Sequence, residues 1–280
     1  MASSHSPASP LSPTWFPDHI DGIISPLAQA KLYPYPAPEG DFWMRGGLPE
    51  LRPDGIMPEE LGGRTPVISV GSNRAPLQLR RKFGLAAELP VTACVLRDCD
   101  ITYAATLSFY CASPATACPS PGTSVTLNIT WLDPDQLANM HETEALGVAY
   151  DFVRLNDGLV DHGDRPNHAV FQQPIYGYQS RSGLLQFSGQ PIAHQAIPAV
   201  GRKFDAMNEA EVLAAINAKT CGDDHAILPL DNWLDAMRED RQLRLEVMEK
   251  LTAFSMPIAA MSPTPWDVMP IKAKNPDDFL

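Results

Sequence analysis

Apolar and polar positions alternate in short runs along the middle of the chain and switch to helical spacing near its end. Residues 66–70, PVISV, form an apolar, β-favouring run, and Gly71, Ser72 and Asn73 follow as a turn. Pro76 suits the first position of a helix that continues through Leu77, Leu79 and Phe83. Further strands are expected at Val91 to Val95, Ile101 to Leu107, Val125 to Trp131 and Ala149 to Leu155, with SPG at 120–122 as a turn and a hairpin over Tyr176 to Phe187. In VTLNITW, Val125, Leu127, Ile129 and Trp131 fall on one face. Asp133 and Pro134 open a helix in which Leu137 and Met140 keep helical spacing up to Glu144.

Outside this middle the pattern changes. Residues 1–65 show no sustained periodicity apart from a short helix expected at Leu27 to Tyr33, and they read as a Pro-rich arm. The aromatic content of that arm (Trp15, Phe16, Tyr33, Tyr35, Phe42, Trp43) argues that it lies on the domain. Residues 201–280 read as a helical extension: Asn208 with Glu211 resembles a capping box, and an apolar stripe from Trp233 to Leu251 predicts one long helix over Asp231 to Phe254. Residues 66–200 then form the core domain, expected as an α+β, mostly antiparallel, barrel-like fold with flanking helices.

Composition narrows the function classes. The chain has 280 residues, and its 28 prolines are about twice the usual share of ~5%, which implies many loops. A net charge of −12 with scattered basic residues argues against a nucleic-acid surface. The first residues lack the basic start and apolar run of a signal peptide, and no stretch is long enough to span a bilayer, so a cytoplasmic protein is expected. Five cysteines without CxxC spacing read as buried thiols rather than disulfides or a zinc site.

The chemical motifs are few. A strand, a glycine turn and a helix aim backbone N–H groups and the helix dipole at whatever occupies the turn, which favours an anion there. MHETEALG lacks the second histidine of HExxH, since Ala145 stands in its place, and DHGD at 161–164 reads as a polar turn. GxSxG, Walker and dinucleotide glycine patterns are absent. His141, His162, His168 and His194 are available as bases.

Two of these segments together carry a resemblance. The GSN turn, followed several strands later by the LxxMHETE pattern, resembles the gamma-glutamylcyclotransferase-like family, whose members carry a YGSN loop and an L-(D/E)-x-x-E segment ending in the catalytic glutamate. The match falls on Gly71, Ser72, Asn73 and Glu144, with Leu137 and Met140 in the preceding apolar positions, and covers residues 66–200. Val70 replaces the family's tyrosine, and Arg74 replaces an apolar residue.

The resemblance implies a cofactor-independent and metal-independent cyclotransferase acting on a small amide or peptide. The substrate's α-amino group would attack its own γ-glutamyl carbonyl, giving 5-oxoproline and an amine. Glu144 would be the acid/base, chosen over Glu142 because the family pattern places the acid there; the two point apart on a helix, so at most one can face the pocket. Gly71, Ser72, Asn73 and Val70 would surround the substrate, Arg74 would meet a carboxylate, and Tyr150 would line the pocket. An amide hydrolase using the same carboxylate, or a non-catalytic small-molecule-binding or interaction protein on the same fold, stays open. So does the oligomeric state, a homodimer included.

Overall fold

The computed structural model describes residues 25–221 and 227–270. Trp15 and Phe16 of the expected arm lie outside them. Two long antiparallel strands form the spine: β4, Leu89–Tyr103, and β5, Ala115–Leu132, preceded in the chain by β1, Phe42–Arg45, β2, Leu48–Leu51, and β3, Thr65–Ser69. Then come β6, Tyr150–Leu155, β7, Val160–Asp161, and β8, Tyr176–Ser180. The described residues hold six helices: α1, Pro26–Lys31; α2, Pro76–Phe83; α3, Pro134–Thr143; α4, Glu209–Thr220; α5, Leu230–Glu239; and α6, Arg241–Leu251.

The result is a mixed α+β fold on a large, mostly antiparallel sheet. Its main path runs from the short strands at 206–207 and 193–194 through β4, β5, β3, β8 and β6 to Trp266–Val268. β3 and β8 pair in parallel, as do the two short strands at the first edge. The expected barrel does not close among the described residues, because the two ends of this path pair with nothing in common. The arm region contributes to the sheet: β1 and β2 form a hairpin, and β1 pairs with β4 through Phe42 and Val91.

Four local expectations differ from the structure. The segment expected at 91–95 and the first three residues of the one expected at 101–107 are parts of one β4, which ends at Tyr103, and SPG at 120–122 lies inside β5. The β4–β5 pairing shifts register between Arg97 and Cys99, where Asp98 takes a positive φ of 54° and its Oδ1 accepts from the Gly122 N–H at 2.7 Å. That side chain and the φ of 83° at Gly122 carry both strands through a bulge instead of a turn. The long C-terminal helix is two helices, since Asp240 leaves helical geometry and its Oδ1 caps the N–H groups of Gln242 and Leu243. The hairpin at 176–187 is also absent: β8 pairs with β3 and β6, and Leu184–Leu185 pairs with Ser255–Met256.

Alternation on β5 sets up both faces of the sheet. Val125, Leu127, Ile129 and Trp131 are all fully buried in the largest apolar cluster, and Trp131 Nε1 donates to Thr92 Oγ1 at 2.9 Å. Asn128, Thr130 and Leu132 face the other way, toward the side where α2 and α3 contribute Leu79 and Met140. A third cluster joins Tyr103 and Leu107 to Val212, Ile216, Trp233 and Leu251, which attaches the C-terminal helices to the sheet. No helix among the described residues is long and apolar enough to cross a membrane.

Candidate active site

Chain direction brings the two distant motifs together. β3 ends at Ser69, and the backbone bends through Gly71 into a single 3₁₀ turn at Ser72–Arg74 before Pro76 opens α2. α3 starts at Asp133, whose carboxylate accepts from the Gln136 N–H at 2.8 Å while the Gln136 side chain accepts from the Asp133 N–H at 3.1 Å. That capping box fixes the axis of α3, and the helix stops at Glu144, with Ala145 in the left-handed region at φ 47°. Asn73 Nδ2 donates to Glu144 Oε1 at 2.9 Å across 71 positions of sequence.

Glu144 has further company. Lys82, from the last turn of α2, forms an ion pair with Oε1, and the two side chains are only 8% and 13% exposed. Met140 Sδ lies 3.5 Å from Lys82 Nζ and 3.6 Å from Asn73 Nδ2. Glu142 is exposed, so helical geometry turns one carboxylate inward and the other out. His141, beside them, has its Nδ1 2.7 Å from the Tyr178 hydroxyl.

Phenols occupy the remaining space around this carboxylate. Burial, and then the charge of Glu144, pushes the Tyr110 hydroxyl up to about 12, and the same two causes in the same order raise Tyr150. Tyr178 is raised likewise. These groups therefore keep their protons at neutral pH and serve as donors in a dry environment. Tyr110 reaches the hydroxyls of Ser108 and Ser72, the latter on the turn. Tyr176, by contrast, stacks on Phe152 with ring centroids 5.0 Å apart.

The turn is covered on its other side by Tyr33. The Ala115 N–H donates to the Tyr33 hydroxyl at 2.8 Å, which holds this oxygen directly against Gly71. A methyl group on Gly71 would overlap the Tyr33 oxygen and come within 3.1 Å of Ala115 Cβ. Gly71→Ala is therefore expected to destabilise the fold by about 1–3 kcal/mol through overpacking, read from the midpoint of urea unfolding. Adding Tyr33→Phe removes the overlapping oxygen and recovers part of the loss. A single variant as stable as the wild type would show that Tyr33 does not hold this position.

The other turn residues point elsewhere. Val70 packs on the largest apolar cluster, and Arg74 sends its Nε to Asn128 Oδ1 at 3.1 Å. No hydrogen bond or ion pair links Arg74 to Glu144 among the described residues. Lys82, Tyr33, Tyr110 and Tyr178 all reach the site without having been singled out for it by sequence. Lys82 reads there only as a cation in the last turn of a helix, a favourable place for any lysine.

A second buried polar pair lies behind Tyr33. His194 and Glu209 are 0% and 1% exposed at their side chains, with Nε2 and Oε2 3.8 Å apart, and Tyr103 stacks on His194 at 4.4 Å. Burial, reinforced by Arg202 and Arg74, lowers His194 to about 3, and burial raises Glu209 well above its ordinary 4.5. The pair is accordingly neutral, a carboxylic acid beside a neutral imidazole, although its separation alone would also suit an ion pair.

Because the folded chain holds the Glu209 proton more tightly than the unfolded chain, its contribution is complete below pH 4.5 and is lost as pH rises toward the raised value. Glu209→Gln keeps an oxygen for the Ser113 N–H and removes that titration. Its melting temperature should match the wild type in acid and exceed it by a margin that widens above pH 4.5. A constant margin across pH would refute the neutral acid.

Comparison with known proteins adds one finding. A solved structure described as "Gamma-glutamyl cyclotransferase" is similar over 69% of this chain and 89% of that chain, at 13% identity and a TM-score of 0.35. No family model matches, and no curated protein matches.

Proposed function

We propose that this chain is a cofactor-independent enzyme that closes a γ-glutamyl amide into 5-oxoproline, with Glu144 as the acid/base. The observation that supports it is the 2.9 Å contact between Asn73 and Glu144, which sets one partly buried carboxylate against the turn after β3. In the reaction the α-amino nitrogen attacks the γ-carbonyl carbon, the amide C–N bond breaks, and the proton lost by the attacking nitrogen goes through Glu144 to the departing amine. Nucleophile and electrophile belong to one molecule, so folding the substrate into a reactive conformer can lower the barrier by up to ~7–11 kcal/mol.

Each neighbour has a task in this reading. Lys82 holds the Glu144 carboxylate in place through their ion pair. The protonated hydroxyls of Tyr110 and Tyr150 serve as donors to the developing oxyanion, with the turn at Gly71 and Ser72 as the facing wall.

A second reading, a binding protein without turnover, is favoured by the cover that Tyr33 places on Gly71. Incubation with γ-glutamyl-alanine, followed by mass spectrometry of the products, separates them. Cyclisation releases 5-oxoproline and alanine, hydrolysis releases glutamate and alanine, and intact substrate points to binding alone. Only the first outcome supports the proposal.

A further inference from the structure

The residue that departs most from the sequence pattern, Arg74, sits in a different environment from Glu144. It is 8% exposed, and its single side-chain hydrogen bond among the described residues is the one from Nε to Asn128. The rest of the guanidinium fork has no acceptor there, and no carboxylate pairs with it among the described residues. Removing a charge from water without a partner costs several kcal/mol, so buried arginines are ordinarily matched with an anion. Burial lowers the Arg74 group to about 10, which still leaves it charged at neutral pH.

Two further observations point to a ligand. Asn128, 1% exposed, has its Oδ1 taken by Arg74 while its Nδ2 donor has no partner, so a second buried donor lies beside the first. Arg74 also lines a cleft of about 570 Å³ between the segment after α1 and the sheet, walled by Leu32, Tyr35, Ala37, Ala196 and Pro198. That volume lies within the range of ~300–1,000 Å³ usual for small-molecule sites.

We infer that this cleft binds a small organic carboxylate, its carboxylate on the Arg74 fork beside Asn128 and its apolar body against Leu32, Ala37 and Pro198. One fork and one amide match a monoanion bidentately. A phosphate would ask for more donors, and a protein of net charge −12 repels a dianion more strongly. Glu39, exposed on the cleft lining, opposes a second negative group in the ligand. Gly71 also lines this cleft, so it adjoins the turn that faces Glu144, but no hydrogen bond or ion pair joins Arg74 to Glu144 among the described residues.

Isothermal titration of the full chain with N-acetylleucine, N-acetylleucinamide and inorganic phosphate tests it. N-acetylleucine should bind saturably, and the amide should bind about tenfold to a hundredfold more weakly, because it replaces a charged acceptor by a neutral one. Arg74→Gln should abolish that preference. Ala196→Trp, which fills the cleft without touching the guanidinium, should abolish binding even if Arg74→Gln fails to fold. Glu144→Gln should bind like the wild type, which separates this site from the catalytic proposal. Equal affinity for acid and amide, tighter binding of phosphate, or no saturation by N-acetylleucine would each overturn the inference.

Discussion

Glu144→Gln should slow lactam formation from γ-glutamyl-alanine by about 10²- to 10⁴-fold, the usual worth of a positioned acid/base. The amide has nearly the same shape, and its oxygen can still accept from Asn73 and Lys82, the two partners of Glu144 Oε1. It cannot take up the proton that the attacking nitrogen must lose. The loss should therefore fall on kcat, with circular dichroism close to the wild type and a lower melting temperature, since the nearly buried Lys82 ammonium loses its counter-charge. Glu142→Gln is the control: that side chain is exposed, and its replacement should leave the rate unchanged. Full activity in Glu144→Gln would end the catalytic reading.

The largest effect on stability is expected at Asp41. Its carboxylate, 4% exposed, accepts from the Ile56 N–H at 3.0 Å, from the Ala93 N–H on β4 at 2.8 Å, and from both terminal nitrogens of Arg165, one of them at 2.8 Å. One side chain thereby ties three segments distant in sequence. Asp41→Ala leaves two N–H groups without an acceptor and a largely buried guanidinium with no counter-charge and only the Ala93 carbonyl at 3.3 Å, and should cost about 3–5 kcal/mol in urea unfolding. Combining it with Arg165→Met should be less damaging than Asp41→Ala alone, because no buried charge is then stranded. Additive losses in the double variant would mean that the ion pair contributes nothing beyond its separate members.

How far the sequence could be read depended on the range of the forces involved. The strand ending before Gly71, the helices opening at Pro76 and after Asp133, and the capping box at Asn208 rest on contacts within a few residues, and each is present. Asp240 was also a local signal, an N-cap residue in the middle of an apolar stripe, and the stripe masked it. The continuation of β5 past Gly122 was not local. It depends on Asp98, 24 positions away on the partner strand, so the SPG segment alone could only suggest a turn.

The same division holds at the site. The inward direction of the Glu144 carboxylate follows from its place at the end of α3. That Lys82 would meet it depends on how α2 lies against α3, and that Tyr33 would cap Gly71 depends on where the N-terminal segment crosses the sheet. Neither packing leaves a mark in residue spacing. Arg74 was expected to meet a substrate carboxylate, whereas the partner the structure gives it is the Asn128 amide on β5, a pairing across 54 positions that residue spacing does not show.

The two-residue repeat of β5 divides labour along a single strand. Positions 125, 127, 129 and 131 fill the interior, while 128 and 130 meet Arg74 and Ser69 on the opposite face. Both rows are buried, with Asn128 at 1% and Thr130 at 0% exposure. Insertion or deletion of one residue in this strand would exchange the two roles at once, so the strand is closed to changes of length.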